Sequence, residues 1–410
     1  MNRERRTKAP QRLYALTSLR FLAAAVVVLH HSLGGFIGVY TGVEWRVPVG
    51  HAVSFFFVLS GFILAYVYPS LDDKRDVGRF FRARFARIWP LHVATLLLVI
   101  ALLPDWFKGL AGGSFIGIFL SPIFWVNALL VHAWIPVREY FWSYNAVSWA
   151  VSAELALYLC FPLLLYNWKR TWHVKLLACF LVSAGVVAFC GYADLPSGLD
   201  GGVGYIGLIA ISPLVRLFEF VFGMTMALAY ERVKDRYHPG KVGGTIVEAA
   251  AWAVVIGSIY ILPHLQGIFS GAAESTLWWI GNGGMPSLFI GPLILVMALE
   301  KGLIVRALSR PWCVALGELS FAMYLLHQMV LRAYRWEMDI SAAAPSWLMY
   351  ACLPLVLLIG SHLLLVLVER PCRRLIAGRG TAALPGAGWW IRIAVECVLL
   401  GLLAYFSFSV

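Results

Sequence analysis

The stretch Leu19-Arg20-Phe21-Leu22-Ala23-Ala24-Ala25-Val26-Val27-Val28-Leu29-His30-His31 lies within a longer apolar run from about Leu16 to Val39. About 20 such residues cross a bilayer core of about 30 Å. The run is too long for a signal-peptide core, and no small-residue cleavage pattern stands out. A retained first membrane span is therefore expected. The span carries ionisable groups, although a charge at bilayer depth costs about 2.5–3.5 kcal/mol on insertion scales. Residues of this kind are functional candidates by default. Arg20 and His31 differ by about 20° around a helix and by about 16 Å along it, so they share one face. That face carries a cation near one surface and a titratable base near the other. A plainer alternative is that Arg20 reaches the headgroups and His31 hydrogen-bonds another helix.

The rest of the chain agrees with a membrane fold. Of 410 residues, 61% are hydrophobic and 13% charged, against about 25% charged in ordinary soluble domains. Mean hydropathy is +0.79. These values exclude an ordinary soluble enzyme, a disordered chain and a collagen-like chain. Apolar runs predict spans at 17–38, 49–69, 89–104, 146–166, 176–192, 206–230, 246–263, 284–299, 313–332, 347–368 and 389–408. The expected fold is an all-α polytopic membrane protein with ten or eleven transmembrane helices. A basic N-terminus, 1–16, precedes a transmembrane domain, 17–370. A basic segment and an extra C-terminal hydrophobic helix, 371–410, follow it.

A twelfth apolar region, 113–134, contains Pro122, Asn127 and His132. If it does not cross, most of the 33 Lys and Arg fall on one side with the N-terminus. If it crosses, the basic segment Lys169–Lys175 moves to the other side. The positive-inside rule therefore predicts a re-entrant or interfacial 113–134 and a cytoplasmic N-terminus. The net charge of +12 becomes a topology signal, and nucleic acid is not an expected partner. Seven cysteines without a CxxC pair suggest small buried hydrophobes rather than a disulfide framework or zinc site.

Other polar residues recur at membrane depth. Glu154 is about 12 Å into the fourth span, near the depth expected for His31. A His31–Glu154 contact is thus expected, the carboxylate fixing the imidazole tautomer. A structural polar pair is the alternative. The loop Arg79-Phe80-Phe81-Arg82-Ala83-Arg84-Phe85-Ala86-Arg87 alternates arginines with aromatics. It suits a phosphate-bearing ligand or an anionic lipid headgroup. Arg216 and Glu219 form an i,i+3 pair, read first as mutually neutralising. Glu369-Arg370-Pro371 reads as a helix stop. There is no P-loop, HExxH or GxSxG.

Together these residues resemble the membrane acyltransferase-3 family. The chain carries Arg20, ten residues and His31; Phe55-Phe56-Phe57-Val58-Leu59-Ser60-Gly61-Phe62; and Arg84-Phe85-Ala86-Arg87 with Pro90. It also carries Trp149 to Tyr158 with Ser152 and Glu154; Arg216, Glu219, Phe220 and Gly223; Leu316 to His327; and Glu369-Arg370-Pro371. Ala150 replaces the family's usual first Ser of the Trp149 segment, and Leu155 its usual second Glu. The stand-alone form, without a fused SGNH domain, is expected.

The resemblance implies an enzyme of the bacterial inner membrane, an O-acyltransferase and in the first instance an O-acetyltransferase. It would move an acyl group from cytoplasmic acetyl-CoA or another acyl-CoA to a hydroxyl of an extracytoplasmic exopolysaccharide or lipid-linked glycan. His31, Glu154 and Arg20 would be catalytic. Arg82, Arg84 and Arg87 would hold CoA phosphates. Ser60 and Gly61 would let the acyl-pantetheine arm pass. Ser152, Trp149, Arg216, Glu219 and His327 are candidate substrate contacts. No metal is expected; membrane lipids and polysaccharide-biosynthesis machinery are the further expected partners. The rivals are a transporter or flippase of a lipid-linked glycan or organic anion, and a polytopic glycan polymerase or glycosyltransferase.

Overall fold

The computed structural model describes residues 11–33, 48–103, 107, 114–268, 273–341, 347–377 and 387–408. Residues 1–10, 34–47, 104–106, 108–113, 269–272, 342–346, 378–386 and 409–410, which fall within expected segments, lie outside the described residues. The chain is α-helical, and its described residues contain no strand beyond one isolated bridge, Val137 to Val203. The first helices are α1 (Tyr14–His31), α2 (Val49–Val67) and α3 (Lys74–Leu102). Short helices α4 (Phe115–Leu120), α5 (Pro122–Ala128) and α6 (Arg138–Phe141) follow. Next come α7 (Trp149–Leu165), α8 (Trp168–Tyr192), α9 (Pro213–Val233), α10 (Lys241–Ile268), α11 (Glu274–Asn282) and α12 (Gly284–Ala298). The chain closes with α13 (Leu303–Leu308), α14 (Pro311–Ser341), α15 (Trp347–Leu364), α16 (Arg370–Ile376) and α17 (Ala387–Phe408). Ten stretches among the described residues are long and apolar enough to cross a membrane. Helix α17 packs along α15, with Ile393 against Leu363 and Val366.

Residues 114–134 do not form a crossing helix. The helices α4 and α5 have 6 and 7 residues, about 10 Å each. Broken backbone persists at membrane depth only where protein satisfies it. Here side chains from other helices do so. Ser152 donates to the carbonyl of Leu130 at 2.7 Å and accepts from the amide of Ala133 at 3.1 Å. Trp89 donates to the Ala128 carbonyl at 3.0 Å, and His92 to that of Asn127 at 2.8 Å. Leu130, at φ 57°, takes the left-handed conformation where the segment turns.

The arginine-rich segment expected as a loop is helical. α3 starts at Lys74, where Asp73 accepts from the Asp76 amide at 2.7 Å, and runs 29 residues through Pro90. Helical rise makes it about 43 Å long, so it overshoots a bilayer core. Charged side chains lowered the apparent hydropathy of its first half, which is why its apolar run began only at 89.

Helices α2 and α9 form the centre. A Cβ on Gly61 would collide with the Phe220 carbonyl, and one on Gly223 with the Val58 carbonyl. These small residues let the two backbones approach, the usual means of tight packing between membrane helices. Gly61 therefore faces α9 and leaves no passage for an acyl arm, contrary to the expectation from sequence. The Arg216–Glu219 pair lies in the same interface.

Candidate active site

Arg216 and Glu219 are 2% and 1% exposed and paired at 2.8 Å. Arg216 also donates to the Ala210 carbonyl at 2.7 Å and lies over the rings of Phe57 and Trp149. Ser54 donates to Glu219 at 3.0 Å. The charges are thus enclosed, with Arg216 and Ser54 both on one oxygen of Glu219 and the other oxygen buried without a hydrogen-bond partner among the described residues. Together with Trp149 they brace α2, α7 and α9, as the neutralising reading of the pair anticipates.

A cavity of about 290 Å³ lies beside this brace. Each wall is one helix face, set by i, i+3, i+4 spacing. α1 supplies Leu16 and Arg20; α2 supplies Val53, Phe56, Ser60 and Ile63; α3 supplies Arg84 and Arg87; α7 supplies Glu154 and Tyr158; and α14 supplies Ser320 and Tyr324. Arg84 and Arg87, three residues apart, share a face. Arg82 is turned about 200° from Arg84; it is exposed and does not line the cavity. His31, Gly61, Ser152, Trp149, Arg216, Glu219 and His327 are also absent from the cavity wall.

Inside, three guanidinium groups face one carboxylate. The Arg84 guanidinium lies over the rings of Tyr68 and Tyr158, 5.6 and 5.8 Å from their centroids. Such stacking holds a planar cation without using up its donors. Glu154 accepts from Ser60 at 3.1 Å and from the Tyr158 hydroxyl. It shares the cavity with Arg20, whose charge lies close enough to interact with those of Arg87 and Glu154. The expected His31–Glu154 contact is therefore replaced by Ser60 and Tyr158. Counting depth from the ends of two separate spans missed this arrangement, because α14, not α7, packs along α1.

His31 instead meets His327 of α14. Its Nδ1 lies 2.9 Å from His327 Nε2, and the rings stack with centroids 5.1 Å apart. The His327 Nδ1 lies 2.6 Å from the Tyr324 carbonyl. A carbonyl only accepts, so His327 Nδ1 carries a hydrogen. In neutral His327 the Nε2 is then an acceptor, and His31 Nδ1 must donate to it. Neutral His31 consequently keeps the lone pair on Nε2, the form a general base requires. Tyr324 links the two regions. Its ring lines the cavity and lies 5.8 Å from the His327 ring, and its hydroxyl donates to the Val147 carbonyl at 3.0 Å. From sequence His327 is a candidate substrate contact; only the packing of α14 on α1 shows it to be the partner of His31.

Arg87 Nη1 lies 4.0 Å from Glu369, which accepts from Arg373 at 3.2 Å. The stop segment thus borders the arginine end of the cavity.

Residues 13–366 match the model of a family described as an acyltransferase domain, the acyltransferase-3 family. The chain is 33% identical over 402 residues to Acyltransferase MdmB of Streptomyces mycarofaciens, covering 91% of this chain and 94% of that relative. It is 38% identical over 96 residues to Protein 2 in picA locus of Rhizobium radiobacter, covering 22% of this chain and 46% of that protein. No solved structure matches. With ten candidate spans, a family match along most of its length and a full-length acyltransferase relative, the chain belongs to the acyltransferase-3 family of membrane acyltransferases.

Proposed function

We propose that this acyltransferase takes an acyl group, in the first instance acetyl, from acyl-CoA at its basic face. It delivers the group to a hydroxyl of a glycan or lipid-linked sugar at the opposite face of the bacterial inner membrane. The supporting observation is the cavity, whose arginines outnumber its carboxylate and whose remaining wall is largely apolar. A CoA thioester has this polarity: an anionic head and a thin, weakly polar arm. The grouping of basic segments supports a cytoplasmic basic face and N-terminus.

In this scheme Arg84 and Arg87 hold donor phosphates with charge-assisted, bidentate hydrogen bonds. Arg20, deeper on α1, steadies the amide or thioester oxygen. Glu154 balances the arginines and fixes the Ser60 hydroxyl. The acceptor hydroxyl loses its proton to His31 Nε2 as its oxygen attacks the thioester carbonyl. The C–S bond breaks, and the departing thiolate receives the proton from His31. The products are the ester and free CoA.

The test is transfer by protein in proteoliposomes, with labelled acetyl-CoA on the basic side and glycan acceptor on the other. Label in the glycan is the expected result. Absence of transfer from any acyl-CoA rejects the donor, and full glycan acylation by folded His31→Ala protein rejects the base.

A further inference from the structure

Glu369 does more than end a helix. It closes a π-helical turn, Leu365–Glu369, joining α15 to α16. Such wide turns are rare and concentrate at functional sites. The turn packs against α3 and leaves Glu369 3% exposed. One carboxylate oxygen serves both Arg373 and Arg87; the other is buried without a hydrogen-bond partner among the described residues. Arg370 points elsewhere, to Glu318 at 3.0 Å. Arg87 lines the cavity; Arg373 lies outside it with its side chain 45% exposed.

Size then limits how much of the donor the cavity holds. Pockets for drug-sized ligands run from about 300 to 1,000 Å³, and CoA exceeds a drug-sized ligand. A cavity of about 290 Å³ holds the arm and the phosphates nearest it, so the adenosine end extends beyond it, and Arg87 stands at one of its borders. Arg373 is the cation tied to Arg87 through a shared carboxylate on that side.

We propose that Arg373 binds the outermost phosphate of the donor, the ribose 3′-phosphate of CoA, and that Glu369 is the positioning residue that sets Arg373 beside Arg87. This rests on the acyl-CoA reading. The shared chemistry is a terminal phosphate, which an anionic lipid also offers, so the test separates the two sources.

Protein in phosphatidylcholine nanodiscs is titrated calorimetrically with CoA and with 3′-dephospho-CoA. Arg373→Ala should weaken CoA binding about ten- to hundredfold, the size of one charge-assisted contact, and leave 3′-dephospho-CoA binding unchanged. Arg373→Lys should recover part of the loss. Glu369→Gln should narrow the ratio between the two ligands, and Glu369→Asp should partly restore it. Equal weakening of both ligands by Arg373→Ala overturns the proposal, because it marks a structural role. Unchanged CoA affinity, with lost retention of phosphatidylglycerol in mixed nanodiscs, assigns Arg373 to lipid and also overturns it. In either case, weaker binding by Arg84→Ala leaves the donor reading standing. If the wild-type protein binds neither ligand, the donor reading itself fails.

Discussion

Two clusters of arginine and carboxylate lie within this bundle, and their surroundings differ. At the α2–α9 interface, Arg216 and Glu219 are sealed, paired one to one and supplied with Ser54, the Ala210 carbonyl and two aromatic rings. In the neighbouring cavity, Arg20, Arg84 and Arg87 face the single carboxylate of Glu154 across open space. The first cluster is closed to a ligand by burial and by its one-to-one pairing, although one oxygen of Glu219 is buried without a hydrogen-bond partner among the described residues. The second has an excess of positive charge and room for a guest. Residue type and membrane depth alone do not separate a brace from a binding site; charge balance and access do.

The comparison predicts opposite phenotypes. The largest effect on transfer is expected outside both clusters, at the base. His31→Ala should lower kcat by about 10²–10⁴-fold, the usual range for a general base, with membrane insertion and thermal unfolding as in wild type. Retained activity in a radiolabel transfer assay would break the link between the cavity and the histidine pair. Next is the brace. Glu219→Ala should cost about 3–5 kcal/mol of stability because it strands a buried guanidinium. Unfolding in mixed micelles measures this, and an unchanged midpoint would erase the distinction between the clusters.

The open cluster should behave in the reverse way. Arg84→Ala with Arg87→Ala should raise the donor Kd by about 10–100-fold per lost charged contact, while the unfolding midpoint stays near wild type. His327→Ala should lower kcat by removing the acceptor for His31 Nδ1–H. His327→Gln should retain more activity, because an amide can donate to the Tyr324 carbonyl and accept from His31 at once. Equal activity of the two variants would separate the tautomer from the rate. Smallest of all, Arg82→Ala should leave donor affinity unchanged, since Arg82 is exposed and points away from the cavity.

Much of the bundle was readable in the chain because bilayer thickness imposes a length on every crossing helix. Charge placement also identified 113–134 as non-crossing, although nothing local in that region declared how its backbone would be satisfied. The partners that do so, Ser152, Trp89 and His92, come from other helices. The same limit applied to the site. Arg84 and Arg87 share a face by spacing alone, so their convergence was legible. His327 lies 296 residues from His31, and no periodicity within one helix reveals a neighbour on another. Glu154 was recognised as a buried carboxylate, but its partners depended on which helices pack together. Glu369 passed for punctuation because a proline follows it and a π-helical turn leaves little trace in composition.

Ser152 and Glu154 have a joint consequence. One α7 residue anchors the broken segment, and another, two positions later, stands in the cavity. The helix thus works as a gauge, setting the outer rim against the interior with about 3 Å of rise. One residue inserted between them would swing Glu154 by about 100° while Ser152 held its place. The carboxylate would leave Ser60 behind, and rim and interior would lose their common register without the loss of a single side chain.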